Sequence, residues 1–137
     1  MATLPNGAGG YQLGDGNLSE VNLGVQPTPP TATTGATLTV AQITSGILLG
    51  SPGTTASAYT LPTVASLEAV VTSAKNNSFF DFSVCNVNGS STGVITMTAG
   101  TGWTVVGLAT IAATAGTTGS FRAVKTGDNA WSLYRLA

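Results

Sequence analysis

The chain has 137 residues, 7% of them charged, a formal net charge of −1 and no histidine. That length suits one small domain with a tail, and the charge balance is far from the basic excess that phosphate neutralisation needs, which argues against a nucleic-acid partner. Lacking histidine, the chain is also without the commonest general base and the commonest transition-metal ligand. A freely tumbling domain usually keeps a well-charged surface. So few charges fit either a surface that touches other protein or one solvated by Thr, Ser and Asn side chains. Cys85 stands alone, which rules out an intrachain disulfide. The opening MATLPNGAGG lacks the basic and apolar regions of a signal peptide. No window approaches the roughly 20 apolar residues of a membrane span. Synthesis in the cytoplasm and no membrane partner are the expectations.

Residues 1–35 show no sustained periodicity and carry Gly7, Gly9, Gly10, Gly14, Gly16 and Gly24, then Pro27, Pro29 and Pro30. Such a segment buries too little apolar area to offset its own ordering entropy. It is not a plain spacer, however, because Leu4, Tyr11, Leu13, Leu18, Val21, Leu23 and Val25 are distributed along it. These anchors suit an extended arm that orders on a partner, its backbone pairing with a sheet edge and its side chains filling pockets. A disordered tail, or an arm folded onto its own domain, is the alternative. The run Gln26 to Thr34, QPTPPTATT, reads as a semi-rigid spacer, with a domain of residues 36–137 beyond it.

In that domain ATLTV (36–40) reads as a strand, and Ile47 to Leu49 as a second between two glycines. A third follows at Ala58 to Leu61. Thr63 can cap a helix over Val64 to Ala74, where Val64, Leu67, Val70, Val71 and Ala74 form one apolar stripe. In Ser78 to Val87, Phe80, Phe82 and Val84 alternate with Asp81, Ser83 and Cys85, the pattern of a half-buried strand. Ile95 and Met97 alternate with threonines, and Trp103 to Val106 and Leu108 to Ala112 follow as short strands. Phe121 to Lys125 and Ala130 to Arg135 flank the turn formers Thr126 to Asn129 as a hairpin. The expected fold is all-β: an antiparallel β-sandwich, jelly-roll-like, with one short helix and the arm in front.

Little in the chain points to chemistry. The carboxylates Asp15, Glu20, Glu68, Asp81 and Asp128 show no metal-ligand spacing. Two solvated turn or edge acids is the preferred reading of Asp81 and Asp128, the alternative being a pair brought together by folding for glycoside hydrolysis. GAGG and GDGN lack the strand-to-helix setting of phosphate loops. No enzyme activity, cofactor, metal or small-molecule substrate is therefore expected. Arg122, Lys125 and Arg135 lie beside Trp131 and Tyr134 and suit salt bridges or hydrogen bonds at strand edges, within or between subunits. Val124 interrupts the alternation set by Phe121 and Ala123, as a subunit interface or a bulge would.

The sequence YTLP at 59–62, then SFFDFSVCN, ITMTAGTGWTVVG and AGTTGSFRAVKTGDNAWSLYRLA, resembles a family of small β-sandwich domains in virus structural proteins. The similar chains of tailed bacteriophages are head decoration, or cement, proteins. The resemblance covers roughly residues 36–137, and GAGGYQLGDGN also looks like the arm of such proteins. It implies a homotrimer on the outer capsid surface of the virion, bound to the major capsid protein between capsomers and bracing the shell. On that reading Leu4, Tyr11, Leu13, Leu18, Val21, Leu23 and Val25 contact the capsid, and Phe121, Arg122, Val124 and Arg135 form the trimer interface. The alternative is a fibre or receptor-binding domain recognising host glycans, with Tyr59, Trp103 or Trp131 stacking on sugars rather than filling the core.

Overall fold

A computed structural model describes residues 23–137. The strands are β1 (Thr31–Ala32), β2 (Ile47–Gly50), β3 (Ser57–Thr60), β4 (Phe79–Asn86), β5 (Ile95–Thr98), β6 (Trp103–Val106), β7 (Thr110–Ile111), β8 (Thr117–Gly127) and β9 (Ala130–Arg135), with helices α1 (Val40–Thr44) and α2 (Val64–Val70). They form a six-stranded sheet in the order β1-β2-β4-β8-β9-β6 and a three-stranded sheet in the order β3-β5-β7.

The period-2 pattern of β4 and β8 sets the centre of the larger sheet. Phe82 lies opposite Phe121, Val84 opposite Gly119 and Phe80 opposite Ala123 on the inner face, while Asp81 lies opposite Arg122 and Ser83 opposite Ser120 on the outer. Phe82 and Phe121 stack with ring centroids 5.7 Å apart. Leu48, Val84 and Leu133 from this sheet share one buried cluster with Tyr59, Ile95, Met97 and Ile111 from the other. The close approach of the sheets depends on missing side chains. A Cβ on Gly50 would come 2.4 Å from Ile95 Cδ1, and one on Gly119 2.9 Å from Ile111 Cγ1.

Two expectations need correction. The sheets are mixed rather than antiparallel, because β1–β2, β2–β4, β3–β5 and β6–β9 run parallel. Parallel neighbours need crossover connections rather than tight turns, and the chain supplies them: β3 and α2 lie between β2 and β4. Among the described residues there are also two helices, not one. The expected strand at 36–40 contributes only a bridge from Thr37 to Thr60, and Thr39 then starts α1 through a capping box with Gln42. Helix α2 begins at the expected cap, Thr63, but ends at Val70, with Val64 and Leu67 buried. Among the described residues, no helix is long and apolar enough to cross a membrane.

The chain before β1 is tied to the body by two hydrogen bonds. Gln26 Nε2 donates to the Ser45 carbonyl at 2.7 Å, and the Pro30 carbonyl accepts from Leu49 N–H at 2.9 Å as the chain enters β1. Tyr59 reaches across the core to donate its hydroxyl to the Ala32 carbonyl at 2.8 Å. Burial raises the Tyr59 pKa, countered in part by a backbone hydrogen bond from Ser51.

Candidate functional site

Of the seven arm residues, Leu4, Tyr11, Leu13, Leu18 and Val21 lie outside the described residues. Leu23 and Val25 are 90% and 97% exposed, although each is a side chain whose burial is worth about 1.5–3 kcal/mol. They stand on an uncharged stretch without regular secondary structure. Gln26 marks where this stretch meets the body, beside Ser45 at the end of α1. Between the Pro27–Pro30 run and α1 lies an open groove of about 560 Å³, lined by Pro27, Pro30, Ala41, Gln42 and Thr44 among others and carrying no charge.

The four residues expected at a subunit interface are brought to one region, but not to one face. Side chains alternate along β8, so Phe121 points inward and is buried, whereas Arg122 and Val124 are on the outer face, opposite Asp81 and Phe79. The Lys125–Gly127 step carries the register shift of the strand, so Val124 is an apolar residue on the outer face rather than a bulge. Arg122 makes a two-pronged contact with Asp81, Nε to Oδ1 at 2.7 Å and Nη2 to Oδ2 at 2.9 Å. Its guanidinium also lies 4.1 Å from the centre of the Phe79 ring. The Arg122 contact holds the Asp81 carboxyl below its ordinary pKa of 3.8, leaving a carboxylate at neutral pH with no proton to donate. Asp128 is exposed in the turn between β8 and β9.

Arg135 bonds to three backbone carbonyls. It donates to the carbonyls of Thr110 and Leu108, the latter at 3.4 Å, and through Nε to Ala137 O at 2.9 Å. It thereby ties the C-terminus to the edge of the smaller sheet. Lys125 does similar work on the inner side. Its Nζ sits 2.9 Å from Glu68 Oε1, with both side chains largely covered. Trp131 Nε1 donates to the same oxygen at 3.2 Å. These contacts, led by the Lys125 hydrogen bond, lower the Glu68 pKa and fasten α2 to the hairpin of β8 and β9. The network escaped sequence reasoning because its members lie far apart along the chain.

Tyr59, Trp103 and Trp131 are all buried. Trp103 donates its indole N–H to the Pro62 carbonyl at 2.7 Å and packs 6.0 Å from the Trp131 ring. None of the three offers a flat face to a sugar. Cys85 is half-buried on the outer face opposite Thr118, as a free thiol. Among the described residues, no three His, Cys, Asp or Glu side chains are grouped to hold a metal ion.

The outer face of the larger sheet is therefore lightly polar. Thr104 and Val106 of β6 adjoin Ser132 and Tyr134 of β9, and Val106, Tyr134 and Phe79 are exposed there. No protein-family model, curated protein or solved structure matches the chain.

Proposed function

We propose that the protein is a non-enzymatic capsid decoration protein, a β-sandwich body whose N-terminal arm holds it, as a homotrimer, on the outer surface of a bacteriophage head. The observation that carries this reading is the pair Leu23 and Val25, almost fully exposed on an uncharged stretch that Gln26 pins to the body. Large apolar side chains displayed in this way gain free energy only when another surface covers them, that of a second copy in the trimer or that of the shell. The resemblance of residues 36–137 to phage decoration domains supplies the partner, the major capsid protein.

A ligand that binds the assembled shell and not its separated subunits stabilises the shell by mass action. Three arms on one trimer raise the effective concentration of each at its site, so individually weak contacts hold firmly together. The sparse charge of both arm and body makes attachment rest on apolar contact and backbone pairing, and it should therefore persist at high salt.

The test is reconstitution. Expanded heads that lack the protein are mixed with the full chain or with a version missing residues 1–20, which leaves every described contact in place. Co-sedimentation of the full chain with heads, and a large loss of binding on truncation, are expected. Equal binding by both versions would remove residues 1–20 from the mechanism, and no binding by either would remove the function.

A further inference from the structure

The two edges of the larger sheet differ in how they are defended. At one end β1 is two residues long and follows Pro29 and Pro30. Shortness and proline are standard ways of blunting an edge. At the other end β6 has four residues, WTVV, with no charge and no proline, and the exposed Val106 and Leu108 lie at its end. Trp131 N–H donates to the Gly102 carbonyl, and hydrogen-bonding groups alternate in direction along a strand. Thr104 and Val106 therefore bond towards β9, while the backbone N–H and C=O of Val105 point out from the sheet.

The sequence of the arm carries a matching strand pattern. In Val21-Asn22-Leu23-Gly24-Val25 the apolar residues recur at every second position, the period of a strand with one face to cover. Laid on the outside of β6, such a row would extend the exposed outer-face pair of Val106 and Tyr134 by cross-strand contacts. Neither partner carries a charge, so no ion must be desolvated.

The strand cannot come from the same chain. Gln26 is held beside the start of β2 by its bond to Ser45. An added strand on β6 would lie five strand spacings from β2 in the sheet order, about 24 Å at ~4.8 Å each. An extended chain covers about 3.3–3.6 Å per residue, so Val21 reaches at most about 18 Å from Gln26 and Val25 only about 4 Å.

We infer that residues 21–25 of one copy add as a strand to the β6 edge of a second copy. The contact is head-to-tail, so it closes into a ring when the rotation between copies allows. This goes beyond the decoration reading and does not need it. It separates the arm into a stretch near the body that joins copies and residues 1–20, which remain available for another surface.

The experiment uses the full chain in solution, without phage heads. Sedimentation velocity should give an oligomer for the natural sequence, and the mass of one chain for Leu23→Asp/Val25→Asp. Those side chains are exposed in the single chain, so the variant should keep its fold, which tryptophan emission checks. In a Cys85→Ser background, a Gly24→Cys chain and a Val105→Cys chain, whose cysteines would share the inner side of the added pair, are mixed and treated with a short bis-maleimide. Covalent dimers between the two chain types, absent when the Gly24→Cys chain also carries the two aspartates, are expected. A natural chain that sediments as a monomer overturns the proposal, as does an oligomer that survives the two aspartates. An oligomer that the aspartates dissolve but that yields no Gly24–Val105 cross-link overturns β6 as the acceptor. None of these readouts involves a capsid, so failure here and failure of the reconstitution are separate results.

Discussion

Replacing Trp103 by Phe tests the packing that holds β6 in place. The indole N–H, 2.7 Å from the Pro62 carbonyl, is the only donor the side chain has. Removing it leaves a buried carbonyl without that partner, a cost of about 1–3 kcal/mol. The smaller ring also gives up about 40 Å² of apolar contact, roughly 1 kcal/mol at ~25 cal/mol per Å². Together these come to about 2–4 kcal/mol, a large part of the stability of a domain this size. Urea unfolding can be followed through Trp131, the one other tryptophan. With a slope of ~2 kcal/mol per M, the midpoint should fall by about 1–2 M without a change in slope. A fall of less than about 0.3 M would mean that the indole is neither bonded to Pro62 nor enclosed, and the argument for a well-seated β6 would be wrong.

Asn86 is buried and bonds to three backbone groups: Nδ2 donates to the Gly93 and Ala112 carbonyls, both at 3.0 Å, and Oδ1 accepts from Gly89 N–H at 2.7 Å. Asn86→Ala should cost about 2–5 kcal/mol in chemical denaturation; a loss under about 1 kcal/mol would show that the three loops hold themselves. Gly50→Ala should cost about 1–3 kcal/mol, because its Cβ would meet Ile95 and Tyr59 where the sheets touch; an unchanged melting temperature would contradict that contact. Glu68 has a lowered pKa, so the folded state binds its proton less readily than the unfolded chain. Its contribution is complete above the ordinary value of 4.5 and is lost as the pH falls through the lowered folded value. Trp131 emission should report that transition, and Lys125→Met should move it to higher pH; no movement would remove Lys125 as the cause. In Arg122→Met, the Asp81 carboxyl should titrate closer to its ordinary 3.8 when followed by NMR, and an unmoved titration would refute the pairing.

Elements with strong local patterns were legible in the sequence. The alternation of Phe80, Phe82 and Val84 placed β4, and Thr63 marked the start of α2, because both signals lie within one element. Helix α1 has only five residues, too few for a stripe, and its one readable mark was the Thr39-x-x-Gln42 capping box. The parallel pairings were not legible, since a strand's own residues carry the period but not the direction of a neighbour far along the chain. The same limit applied to the candidate site. Leu23 and Val25 read as residues awaiting a partner surface, and both are exposed. Phe121 and Arg122 are adjacent in sequence but face opposite sides of the sheet. The partners of Arg122 and Arg135, Asp81 and the β7 edge, emerged only once the sheets were assembled.

The proposed role rests most directly on where the protein sits in an assembled particle. Cryo-electron microscopy of virions carrying it should place three copies together on the outside of the head at the junctions between capsomers, with residues 1–20 running onto the shell. Density confined to tail fibres, or heads without any copies, would contradict the decoration function.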